Sequence, residues 1–279
     1  YLAKQTSSLI ALVDFTELKA RTGFASYLER VDQGAKIILI DGLDDETLIR
    51  AGELIWERRA DDPFVAGSQG LNQALVAYWR SKGLLPQSYS APAMTRVERI
   101  AAVSGSCSIL TANQIEFAAA NGFRAIRAQS HAVLNEASWN AEITRCVDLA
   151  LQSLQQGRDP VIYTAKGPDD PDVKALDDAI TSHGLDRNLI SHRLGSGLGQ
   201  MLDQIVERAK LTRAIVSGGD SSGQACLAMG LSGVTAAATL EPSAPLCRAL
   251  SQKRYLDGLE IALKGGQMGS IDFFLRAKG

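Results

Sequence analysis

The chain lacks an excess of charge of either sign: 29 Lys and Arg stand against 31 Asp and Glu, a net charge of -2. Without a basic field, no nucleic acid or anionic membrane is advertised as a partner, and an anionic ligand has to be gripped by local groups. Histidine and cysteine are scarce as well. His131, His183 and His192 do not fall in HExxH spacing, and Cys107, Cys146, Cys226 and Cys247 are too widely spaced for a zinc knuckle and too few for a disulfide scaffold. A reduced, cytoplasmic protein without a transition-metal site of its own is the expectation, and Mg2+ brought by a nucleotide stays open. No run approaches the roughly 18 apolar residues of a membrane helix. The opening YLAKQTSSLIALVDF has neither a basic n-region nor an initiator Met, so it reads as sequence from within a protein. GxxxxGK[ST] is missing, as are the HRD and DFG signatures, which excludes a P-loop and the protein-kinase pattern.

What is present is ordinary globular composition, 46% hydrophobic and 22% charged over 279 residues, with 25 glycines. Short β-rich runs alternate with segments of helical period, which predicts an α/β fold of two domains with mainly parallel or mixed sheets flanked by helices. Strands are expected at Leu9–Val13, Ile37–Ile40, Phe64–Ala66, Ile100–Val103, Ala125–Arg127, Val161–Thr164, Ala214–Ser217, Val234–Leu240 and Leu259–Leu263. Helices are expected at 16–31, 44–59, 70–83, 110–121, 138–155, 171–183, 198–211 and 220–230. The proline-bearing stretch Lys82–Arg96 is the natural linker, which gives domains of 1–86 and 97–279. The first has too few βα units for a full core, so that domain is expected to be incomplete.

Several glycine corners sit at predicted strand ends, where open α/β sheets bind ligands. VSGGDSSG, Val216 to Gly223, joins a strand to a helix and carries Gly218, Gly219, Asp220 and Ser221. Such a corner either caps its helix in the ordinary way or cradles an anion on backbone N–H groups. VSGSCS, Val103 to Ser108, offers the same choice through Ser104, Ser106 and Ser108. KGGQMG sets Lys264 beside Gly265, Gly266 and Gly269, where the lysine is either solvated or faces a phosphate. In the first domain GSQG places Gly67, Ser68 and Gly70 at a helix start, a simple turn or a carboxylate site. RLGSGLGQML imitates a dinucleotide fingerprint at Gly195 to Gly199, but no strand precedes it, and it is expected to be a loop.

In this order GSQGL, VSGSCS with Thr111 and Gln114, VSGGDSSG, APL at Ala244 to Leu246, and KGGQMG resemble the four-carbon acid sugar kinase family along nearly the whole chain. The resemblance implies a C-terminal domain that binds ATP and an N-terminal domain that binds a small sugar acid such as erythronate or threonate. The phosphate would go to a terminal hydroxyl. Carried over by motif, Ser104, Ser106, Gly218, Gly219, Asp220, Ser221, Gly265, Gly266 and Gly269 line the nucleotide, with Lys264 beside them, and Gly67, Ser68 and Gly70 meet the sugar acid. A homodimer is left open. The family's acidic DDxTG motif, which would supply the base, is absent from this sequence, and no catalytic residue is assigned. The chain is therefore expected to be inactive alone, and a non-catalytic nucleotide-binding module is the rival reading. The glycine loops taken alone also admit a dinucleotide oxidoreductase.

Overall fold

The computed structural model describes residues 2–88, 92–241 and 244–279, with Asp220 described in its backbone only. The chain divides into two compact units, Tyr1–Ser90 and Ala91–Gly279. In the first, β1 (Ile10–Val13) pairs in parallel with β2 (Ile37–Ile40). The single helix expected over 16–31 is two, α1 (Phe15–Lys19) and α2 (Gly23–Asp32), because Arg21 between them sits at φ 61°, outside the helical region. Asp14 and Glu17 close a capping box on α1, which fixes the exit from β1. α3 (Asp45–Arg58) and α4 (Gln69–Ser81) approach through Gly52, where a Cβ would collide with the Ala74 backbone. Val13, Leu18, Ala51, Leu54 and Ala74 form the shared core.

The strand expected at Phe64–Ala66 does not form. Pro63 removes a ladder donor just ahead of it, and Phe64 stands 87% exposed with no partner strand among the described residues. Ser68 then opens α4, so the GSQG corner keeps its helix but loses the preceding strand.

The second unit is built on a seven-stranded sheet. In chain order its elements are β3 (Ala101–Ser104), α5 (Ile109–Ala120), β4 (Phe123–Arg127), α6 (Glu136–Gln155), β5 (Asp159–Tyr163), α7 (Pro171–Ser182) and α8 (Arg187–Ala209). There follow β6 (Arg213–Ser217), α9 (Asp220–Met229), β7 (Leu231–Glu241), β8 (Ala244–Ser251), β9 (Glu260–Lys264) and α10 (Phe273–Arg276). The spatial order is β4-β5-β3-β6-β9-β8-β7, parallel from β4 to β9, with β8 antiparallel to both its neighbours. β8 is a strand that the sequence pattern does not reveal. Pro245 and Arg248 interrupt its apolar run, and hydrogen bonding to β9 and β7 overrides that local signal.

Alternation along the strands assigns the two faces. Ala101, Val103, Ala214 and Val216 join α6 and α8 in one core, while Ile100, Ala102 and Ile215 join Ile115, Phe273 and Phe274 in the other. The stretch Gly195–Gly199, expected as a loop, lies inside α8 instead. Its glycines are packing positions: a Cβ at Gly195 would meet Gln224 at 2.7 Å, one at Gly197 the Trp139 ring at 2.5 Å, and one at Gly199 the Ala225 backbone. Spacing of four brings Gly195 and Gly199 onto the face that α9 covers.

The strand starts are tied to the end of the unit. Arg213, fully buried, donates to Glu260 at 2.6 and 2.9 Å, to the Ala277 carbonyl at 2.9 Å and to the Thr95 carbonyl at 2.7 Å. Lys278 meets Asp159 at 2.6 Å, and Val97 donates its N–H to the Lys278 carbonyl. One end of the sheet is thus closed by paired charges, and the glycine corners occupy the other.

Candidate functional site

β3 and β6 are neighbours whose connections leave in opposite directions, which makes their carboxyl ends the switch point of the sheet. Three corners meet there, following β3, β6 and β9. The strand ladder continues into them: Gly105 N–H donates to the Ser217 carbonyl at 3.0 Å and Gly218 N–H to the Lys264 carbonyl at 2.8 Å. A Cβ on Gly105 would sit 2.6 Å from Ser221 Oγ, and one on Gly266 would sit 2.5 Å from Ser106 Oγ. Gly218 has φ 140°, and a Cβ there would strike Ser221 Oγ, so glycine is required both by conformation and by space. Gly219 differs: its φ is -70°, and a Cβ there would have nothing within 4 Å, so it opens onto free space.

The residues nominated from sequence divide into a wall and its support. Ser106, Gly219 and Ser221 line a cavity of about 740 Å³, within the range of small-molecule sites. Beneath them, Ser104 is fully buried and accepts from Ser106 N–H, while Ser108 caps α5 by accepting from Thr111 N–H and donates to the Gly266 carbonyl. Gly269, at φ 85°, packs where a Cβ would press Phe273 at 2.7 Å. Gly265 and Gly266 lie against Met268 and Ser106 respectively, beside the cavity wall. Asp220 begins α9, and its side chain lies outside the described residues. Gly67, Ser68 and Gly70 belong to the first unit, at the start of α4, where Ser68 makes no side-chain cap.

Lys264 is neither solvated nor pointed into the cavity. At 1% exposure its Nζ lies 3.0 Å from Thr111 Oγ1 and 3.0 Å from the Gly265 carbonyl, and burial pushes the ammonium down to about 8. Gln114 adds bonds from its amide nitrogen to the carbonyls of Met268, Gly269 and Ser270. The β9 corner is therefore held by its carbonyls.

The rest of the cavity is supplied by α7 and α8, which the glycine motifs alone do not reveal. Leu176, Ile180, Ile190 and Leu198 make an apolar slot, edged by Asp177, Asn188, Ser191 and His192. Arg187 pairs with Asp177 across the mouth of this slot. α7 is fixed by Asp170, which caps it at Asp172 N–H, accepts Lys166 N–H at 2.7 Å and pairs with Arg127 at 2.6 Å. Burial pushes the Asp170 carboxyl up, but the bonds from Arg127 and the two N–H groups prevail and hold it below the usual carboxylate range.

A polyphosphate fits this arrangement on its donor set. Among the described residues no acceptor stands opposite the N–H groups of Cys107, Gly219, Ser221, Gly266, Gln267 and Gly269. Ser217 Oγ, at the end of β6, is buried and unpartnered. Orphan donors at a helix start and at strand ends suit an anion. No group of three or more His, Cys, Asp or Glu among the described residues would hold a metal on protein ligands alone. Among the described residues, too, no helix is long and apolar enough to cross a membrane.

Comparison with known proteins bears on the same unit. The family model described as the nucleotide-binding C-terminal domain matches residues 101–274. A 3-oxo-isoapionate kinase of Paraburkholderia graminis is 42% identical over 98% of this chain and 58% of that protein. A 3-oxo-tetronate kinase of Cupriavidus necator is 27% identical, over 98% of this chain and 59% of its own length. This chain thus spans under two thirds of either kinase. Among solved structures, a Haemophilus influenzae protein of family DUF1537 aligns with TM-score 0.61 at 22% identity, over 100% of this chain and 62% of that one. That likeness speaks for the fold. From residues 101–274, which fit the nucleotide-binding domain, and from kinase relatives that match nearly its full length, the chain belongs to the four-carbon acid sugar kinase family.

Proposed function

We propose that the second unit binds ATP, with Mg2+ arriving on the nucleotide, and is the phosphoryl-donor half of a cytoplasmic kinase for a small sugar acid of the erythronate or threonate type. The observation that carries this reading is the convergence of three glycine corners, each with unpartnered N–H groups, at the switch point of the parallel sheet. The apolar slot between α7 and α8 is suited to a base, and the corners to the phosphates. Such amides stabilise charge that spreads over phosphoryl oxygens during transfer without needing a positive field from the whole protein.

The first unit would take the sugar acid, with Gly67, Ser68 and Gly70 offering the helix start of α4 to its carboxylate. The relatives named for 3-oxo-tetronate and 3-oxo-isoapionate put oxidised sugar acids first among acceptors to test. In-line attack also needs a group that positions and deprotonates the acceptor hydroxyl. The DDxTG motif that would supply it is not in these 279 residues, so the chain by itself is expected to bind nucleotide without turning it over.

Calorimetric titration tests the reading directly. Mg-ATP and ADP should bind with one site per chain, NAD should not, and mixtures with erythronate, threonate or the 3-oxo acids should release no ADP. Tight NAD binding with no ATP or ADP binding at millimolar concentration would overturn it.

A further inference from the structure

Among the described side chains Lys264 has no counter-charge. Its Nζ is surrounded by Thr111 Oγ1 at 3.0 Å, the Gly265 carbonyl at 3.0 Å, the Met268 carbonyl at 3.3 Å and the Gly266 carbonyl at 3.5 Å. The Phe273 ring of α10 lies 5.8 Å away, and Gln114 of α5 binds the same corner through its amide. No carboxylate or other titratable group among the described residues comes within ion-pair distance of it. A buried ammonium in a purely neutral shell is costly, and it persists where something else depends on it. Neutral carbonyl and hydroxyl oxygens are also the donor set by which proteins replace the hydration of a potassium ion.

The carbonyls that turn toward Nζ belong to Gly265, Gly266 and Met268. In a planar trans peptide the N–H of the next residue points the opposite way. Those next residues are Gly266, Gln267 and Gly269, none of whose N–H groups meets an acceptor among the described residues. The cation beneath the loop and the donors offered by the loop are two sides of the same three peptides.

We propose that the Lys264 ammonium is a tethered monovalent cation, a positioning group that keeps the β9 corner's peptides aimed at a bound phosphate, so that a free potassium or ammonium ion can stand in for it once the side chain is removed. The inference rests on nucleotide binding by the second unit. It makes the wild-type chain indifferent to the choice of monovalent salt.

The test titrates Mg-ADP and Mg-ATP into the 279-residue chain and into Lys264→Ala, at equal ionic strength, in tetramethylammonium, potassium or ammonium chloride. In tetramethylammonium the variant should bind roughly tenfold or more weakly than wild type, a loss of about 1.4 kcal/mol. Potassium or ammonium should restore several-fold of that loss in the variant and leave wild type unchanged. Equal affinity of variant and wild type, or a loss that no small cation relieves, would overturn the proposal. Should Lys264→Ala fail to fold, the wild-type profile decides: affinity should fall as pH rises through about 8, where the buried ammonium discharges. A flat profile between about pH 7 and 9.5, where the nucleotide's own charge is constant, would refute it. Failure of wild type to bind any nucleotide would sink the ATP reading instead, a result distinct from each of these.

Discussion

Gly219→Val separates occlusion of the site from damage to the fold. Gly219 has φ -70° and ψ -85°, at the margin of the helical region with φ negative, and a Cβ there meets nothing within 4 Å. Valine is a poor N-cap beside glycine, so α9 should lose about 1 kcal/mol, a shift of roughly 2–4 °C in melting temperature for a unit of this size. The same side chain projects into the cavity between the β3 and β6 corners, where phosphate would approach backbone N–H groups. Loss of that approach should weaken Mg-ATP binding by about two orders of magnitude, or roughly 2.7 kcal/mol. Gly218→Ala is the contrasting case. Its φ of 140° and its collision with Ser221 Oγ should cost about 2–4 kcal/mol of stability in addition to binding. Calorimetry for affinity and differential scanning for stability, on the two variants and on Gly223→Ala in the open face of α9, provide the comparison. Wild-type ATP affinity in a folded Gly219→Val would remove the β6 corner from the site.

Asp170→Asn should lower stability by about 1–3 kcal/mol, since it leaves Arg127 with Asp172 as its one remaining carboxylate among the described residues and weakens the α7 cap. In wild type the depressed carboxyl contributes stability that is present above its unfolded value near 3.8 and is lost as pH falls through its lower folded value. Acid melts of wild type should therefore fall below that pH more steeply than those of the variant. Gly197→Ala drives a methyl into the Trp139 ring 2.5 Å away and should cost about 1–3 kcal/mol, visible as a lower melting temperature and a changed tryptophan emission. Arg213→Met, at the opposite end of β6 from the corners, strands Glu260 and should lower the melting temperature by several degrees through a loss of about 2–4 kcal/mol. Measured well below its melting temperature, its ATP affinity should match wild type; a parallel loss of affinity would mean that the two ends of the sheet are coupled.

The switch-point corners were legible because each joins a β-rich apolar run to a glycine turn, and two of them open a helix at once. The support beneath them was not. Lys264 looks in sequence like any lysine at a strand end, and only the packing of α5 and α10 shows that its head group is enclosed. Gly195–Gly199 misled for the opposite reason. Glycine has low helix propensity, so five residues containing three glycines read as a loop until Gln224, Trp139 and Ala225 appear against them, where any larger residue would keep α9 and α6 away. The absent strand at Phe64–Ala66 and the unforeseen β8 are a matched pair: apolar residues without a hydrogen-bonding neighbour stay irregular, and an interrupted run between two neighbours becomes a strand. The slot of α7 and α8 carries no motif, since Leu176, Ile180, Ile190 and Leu198 read in sequence as ordinary apolar helix positions.

The clasp that Arg213, Asp159 and Val97 make with Ala277 and Lys278 orders events during translation. Residues 273–278 leave the ribosome after every strand of this sheet, so until they emerge Arg213 has no Ala277 carbonyl and Asp159 no Lys278. The nascent sheet should stay protease-sensitive up to that point and become resistant in one late step, a transition that pulse-proteolysis of stalled chains of increasing length would locate.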